Sequence, residues 1–167
     1  MVTKTFDFVY YIWNEQLVGS IQGESFSVRA VSGGGRGGKH ADHCFDSFSP
    51  YKTTDDKTNT RGGVIPPGKW RIEKPSDYNG RMKAPAAKLT PLGNQIVDFS
   101  MREYTDRPFL IHGPGEKGSD GCIVIERVER KRLLDAIERA GGATLLVTQT
   151  TQEGDLLNKS LKLRNTA

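Results

Sequence analysis

The chain has 167 residues, 35% of them hydrophobic and 26% charged, which bounds it to one domain with an ordinary buried core. Its formal net charge of +4 comes without any stretch dense in Lys or Arg, which argues against nucleic acid as a partner, and two cysteines are too few for a disulfide scaffold. No run nears the roughly 18 apolar residues of a membrane span, and Met1 to Asp7 holds no apolar signal segment. A soluble protein made without an export signal, and with no membrane insertion, is therefore expected.

Nineteen glycines and eight prolines, set among few long periodic segments, favour a β-rich fold. Phe6 to Trp13 is aromatic and β-branched, and Gln16 to Ile21 follows a short Asn14-Glu15 turn. Ser25 to Val31 alternates polar with apolar, so three strands are predicted in the first third. Ser32 to Gly63 is a long irregular segment, of the kind that forms a lid, a binding loop or an insertion. Ile65-Pro66-Pro67-Gly68 predicts a turn into a strand over Lys69 to Glu73. A second loop is expected from Pro75 to Pro91, followed by a strand over Gln95 to Met101. Glu129 to Ala140 is the one convincing helix, with Leu133, Leu134 and Ile137 as its apolar stripe and Gly141-Gly142 as its stop. Ala143 to Thr148 reads as a buried strand. Residues 1–149 thus form one expected domain. The polar tail 150–167, with Leu156, Leu157, Leu161 and Leu163, supports at most a short docking helix.

Three candidate motifs carry bland readings. Gly33 to Lys39 nearly matches a phosphate-binding loop, but His40 stands where a hydroxyl is needed and no helix follows, so a flexible glycine loop fits better. His40, His43 and Cys44 are metal-ligand types whose spacing closes no four-ligand site, so no metal is expected there. Gly63 to Trp70, taken alone, is a strand-entry turn.

The fourth candidate is stronger. Phe109-Leu-Ile-His112 delivers a histidine from an apolar run, nine residues with four glycines follow, and Cys122 opens a second apolar run, Ile123 to Ile125. A cysteine becomes a good nucleophile as thiolate, and an adjacent imidazole is the usual means of removing its proton. Two short strands ending at the same edge of a sheet would bring these side chains together, as a thiolate beside an imidazolium with Lys117 near. The glycines would let backbone N–H groups point at a substrate oxygen. The pattern predicts cysteine acyl transfer.

His112 followed by Ser119-Asp120-Gly121-Cys122 resembles the signature of the YkuD-type L,D-transpeptidases, in which a histidine and a (Ser/Thr)-x-Gly-Cys stretch form the active site. Val64-Ile-Pro-Pro-Gly-Lys-Trp70 resembles that family's T-P-x-G-x-Y entry turn. Ser32-Gly33, Ile65 to Gly68, Ile111 to Gly113 and Gly121 to Val124 together look like the signal-less branch delivered as type VI secretion effectors. Two positions depart from the pattern: Asp120 stands where members commonly carry His, and Val124 where they often carry Arg.

The resemblance implies a mostly β, YkuD-like sandwich or barrel with one helix near residues 129–140. It implies Cys122 as nucleophile, His112 as base and Ser119 as an orienting residue, with Asp120 and Gly113 in auxiliary roles. The backbone N–H groups of Gly121 and Cys122 would form the oxyanion hole, with no metal or organic cofactor. The implied substrate is a peptidoglycan stem tetrapeptide, cut or transferred on the carboxyl side of its diamino acid. The implied partners are an immunity protein and a secretion-system component, with delivery to the periplasm of a target bacterium. A papain-like cell-wall amidase and a non-catalytic wall-binding module remain the alternatives.

Overall fold

A computed structural model of the chain describes residues 6–33, 64–93, 109–113 and 121–157. Eight strands close into a barrel: β1 (Phe8–Tyr11), β2 (Gln16–Ile21), β3 (Glu24–Ser32), β4 (Gly68–Ile72), β5 (Ala87–Pro91), β6 (Phe109–His112), β7 (Ile123–Ile125) and β8 (Ala143–Thr148). Around the barrel they run β1-β2-β3-β7-β6-β5-β4-β8, with β8 returning to β1. The β1–β8 and β6–β7 pairs are parallel, and the other pairs are antiparallel. A mostly β barrel with one long helix near the C-terminus is the fold expected from composition and motif.

Alternation sets the core. Phe26, Val28 and Ala30 of β3 point inward and join Trp70 and Ile72 of β4, Leu89 of β5, Ile111 of β6 and Ile123 of β7 in one buried cluster. Trp70 is fully buried, stacks edge-on against Phe109 at 5.0 Å, and donates from Nε1 to the Pro66 carbonyl at 3.0 Å. That bond ties the Ile65-Pro-Pro-Gly68 segment to the strand it feeds, with Gly68 in the left-handed half of backbone space (φ 137°).

Helix α1 (Arg127–Ala140) begins two residues earlier than its sequence pattern predicts. The Glu126 side chain supplies the N-cap, accepting from Val128 N at 3.0 Å. Gly141, at φ 79°, ends the helix in the left-handed conformation expected of a glycine C-cap. Leu133, Leu134, Ala136 and Ile137 enter the same cluster as the barrel interior, so α1 seals the barrel rather than forming a separate layer. Arg132 lies 4.3 Å over the Phe26 ring and, with Arg139, pairs with Glu24, holding the helix to β3.

Two expectations change. β5 falls within the segment read as loop, because Ala-Lys-Leu-Thr-Pro is short and poor in β-branched residues. A 3₁₀ turn (Pro75–Asp77) precedes it. The tail contributes a helical segment over 152–157, but it docks through polar groups: Tyr11 donates to Asp155, and Asn14 bonds both Gln152 and Glu153. Leu156 and Leu157 are exposed. The strand expected over Gln95 to Met101, the segment 34–63 and the leucines 161 and 163 lie outside the described residues.

Candidate active site

β6 and β7 are neighbours, but they run parallel, with Ile111 opposite Ile123 and His112 opposite Val124. The C-terminal end of one strand and the N-terminal start of the other therefore do not share an edge, which corrects the expectation for His112 and Cys122. Continuing the register by one residue sets Cys122 level with Leu110, two positions before His112 in strand direction. With strands about 4.8 Å apart and a rise of about 3.3 Å per residue, the two Cα atoms lie roughly 8 Å apart on the diagonal. Diagonal neighbours on one face remain within reach of aromatic side chains. Ile111 and Ile123 belong to the barrel core, while Leu110, His112, Cys122 and Val124 do not, as alternation to the outer face requires.

The outer face here is unusual for this barrel. Leu110, Cys122 and Val124 are buried, Cys122 at 8% exposure, and Val31 beside them is buried too. On the far side of β7, Ser32 pairs with Ile123, and its Oγ accepts from Ile65 N at 2.9 Å. The Ser32-Gly33 and Ile65-Gly68 segments, separate in sequence, thus meet next to the strand that follows Cys122. Gly121 holds φ 94°, a conformation that disfavours any side chain and turns the chain into β7.

His112 is half-buried, and its Nδ1 lies 3.0 Å from the Gly113 carbonyl. A carbonyl only accepts, so in this contact Nδ1 carries the proton and Nε2 keeps its lone pair. Burial pushes the His112 pKa below the ordinary imidazole value of 6.5; the Gly113 hydrogen bond opposes this, and the Arg130 charge adds to it. In its neutral form this imidazole carries its proton on Nδ1 and is basic at Nε2.

Arg130 went unnoticed in the sequence. It is 5% exposed, donating from Nε to Pro85 O at 2.9 Å and from Nη1 to Ile125 O at 2.6 Å. Its position on the stripe of Leu133, Leu134 and Ile137 is the available signal: a cation at the i, i+3, i+4, i+7 spacing of an apolar face needs a specific partner.

Ser119, Asp120, Lys117, Cys44, His40 and His43, with the glycine run from residue 34 onward, lie outside the described residues. Among the described residues no group of three or more His, Cys, Asp or Glu side chains gathers, and no helix is long and apolar enough to cross a membrane. No protein-family model, curated protein or solved structure matches the chain.

Proposed function

We propose that this protein is a cysteine acyltransferase acting on peptidoglycan stem peptides, as an L,D-carboxypeptidase or L,D-transpeptidase. The observation that carries the reading is the contact of His112 Nδ1 with the Gly113 carbonyl. Its Nδ1 contact with Gly113 leaves a basic Nε2 on the same outer face, and one strand over, from the buried Cys122.

In this reading His112 Nε2 takes the Cys122 thiol proton as the sulfur attacks the substrate carbonyl. A C–S bond forms, and the carbonyl oxygen takes up negative charge facing the N–H groups of Gly121 and Cys122. Collapse breaks the C–N bond, and the protonated imidazole gives its proton to the departing amine. Water resolves the thioester to a carboxylic acid, or an amine acceptor resolves it to a new amide. Ser119 orients His112 or the loop, with Asp120 and Gly113 in support. No metal or organic cofactor enters these steps.

The stem-peptide substrate follows from the motif resemblance, as does the role of an antibacterial effector delivered to a rival's periplasm. An immunity protein and a secretion component would be its partners. A papain-like amidase is less well supported, since Cys122 leads into a strand rather than the start of a helix.

The test is mass spectrometry of muropeptides after incubation with purified protein. Tetrapeptide stems should lose their terminal D-alanine or exchange it, and Cys122→Ala should leave them intact. Trimming by Cys122→Ala would overturn the assignment. The acid limb of kcat/KM should lie below pH 6.5, because the proton must leave an imidazole whose pKa is lowered. Expression behind an added export signal should lyse cells, cytoplasmic expression should not, and equal toxicity from both compartments would count against the effector role.

A further inference from the structure

We propose that Arg130 is a positioning residue for His112, acting through the Gly113 peptide; this rests on His112 being the base of the reaction above. β6 lies between β5 and β7, with Ala87 opposite Ile111 and His112 opposite Val124. Continuing both registers sets Gly113 level with Pro85 on one side and Ile125 on the other. Arg130 donates to the carbonyls of those two residues, so its planar head spans the neighbours of Gly113 and lies against Gly113 itself. A β-carbon at Gly113 would overlap Nη1, so any larger residue there would have to displace the guanidinium from its two carbonyls.

The Gly113 carbonyl accepts the His112 Nδ1 proton. Gly113 therefore packs against the guanidinium and, through its carbonyl, holds the imidazole. Leucine would suit the helix stripe, yet an arginine occupies it, and both of its hydrogen bonds go to carbonyls flanking that peptide. A helix needing only to be fixed to the sheet has its apolar stripe for that purpose. The bridge over Gly113 instead fixes which ring nitrogen of His112 is the base.

The experiment is nitrogen-15 NMR of the His112 ring, assigned by difference with His112→Gln, in wild type, Arg130→Met and Arg130→Lys. Among the described residues, the titratable and charged groups on packed elements are Arg130, with Glu126 and Arg127 acting on it at the start of α1, Lys88 one row along on β5, and the Cys122 thiol leading into β7. In wild type the neutral ring should carry its proton on Nδ1. In Arg130→Met the two tautomers should mix and the titration midpoint should rise, with kcat falling about 10- to 100-fold at little change in KM. Arg130→Lys should lie between, since it keeps the charge and loses the fork.

A wild-type ring protonated on Nε2 overturns the proposal at once. So does a folded Arg130→Met protein with the wild-type tautomer and midpoint. Should Arg130→Met fail to fold, the same comparison with Arg130→Lys decides: an unchanged tautomer overturns the proposal, a mixed one supports it. If His112→Gln keeps full activity while the NMR behaves as expected, the reading of His112 as base has failed and the positioning relation stands.

Discussion

On β3 the outward residues Ser25, Ser27 and Arg29 lie in solvent, whereas on β6 and β7 the outward Leu110, Cys122 and Val124 are as buried as the barrel interior. The two regions share one barrel and one core, but they use their outer faces differently. β2 and β3 form a long antiparallel hairpin with six registered pairs, and one covered face suffices to hold it. β6 and β7 form a short parallel pair with two, covered on both faces. Shelter on both sides buries the Cys122 thiol and leaves the His112 imidazole half-buried beside it. The hairpin builds the barrel, and the parallel pair holds the proposed site.

That division is testable, beginning with the largest effect. Cys122→Ala should lower stem-peptide turnover by about 10⁴-fold or more, the scale of losing a nucleophile, while shifting the unfolding free energy by only about 1 kcal/mol. Activity assays paired with urea melts check this, and a loss of fold in step with activity would erase the distinction. Trp70→Ala, on the other side of the division, should cost about 3–5 kcal/mol, because it empties the largest fully buried site and removes the ring packed on Phe109. Its denaturation midpoint should fall accordingly.

Ser32→Ala sits where the two regions meet. It would leave the Ile65 amide without its acceptor in the interior, at about 1–3 kcal/mol. Activity at permissive temperature should drop as well, since Ser32 pairs with Ile123. An effect on stability alone would confine Ser32 to the barrel wall. Arg29→Ala should change stability by no more than about 0.5 kcal/mol, because its pair with Glu15 is largely exposed and screened. A double-mutant cycle with Glu15→Ala measures that pair directly.

The same contrast governs what the sequence reveals. β2 and β8 match their patterns residue for residue, and β1, β3 and β4 match within a few residues, because alternation or an aromatic, β-branched run marks them. Phe-Leu-Ile and Ile-Val-Ile also announce strands, yet a continuous apolar run carries no information about which face points where. It also leaves open whether two such strands run parallel or antiparallel. The sequence therefore places Cys122 and His112 on neighbouring strands and misplaces their relative ends. β5 escapes because proline and alanine hide a strand whose pairing is supplied by β4 and β6. Arg130 escapes because nothing local explains a buried cation; its reasons are carbonyls at Pro85, 45 residues earlier, and at Ile125.

The position of β8 has a consequence in time. It lies between β1 and β4, pairing Phe8 with Leu145 on one side and Ile72 with Ala143 on the other, and Asp7 bonds Thr144 across 137 residues of chain. On a ribosome, β1 emerges early and waits for a neighbour made almost at the end of the described chain. Until residue 148 is synthesised, both β1 and β4 present an open strand edge, a template for association with other chains. Closing so distant a contact also makes for slow folding. Between the synthesis of β1 and that of β8 the polypeptide thus carries an unclosed sheet, most exposed to misassembly just before the closing strand arrives.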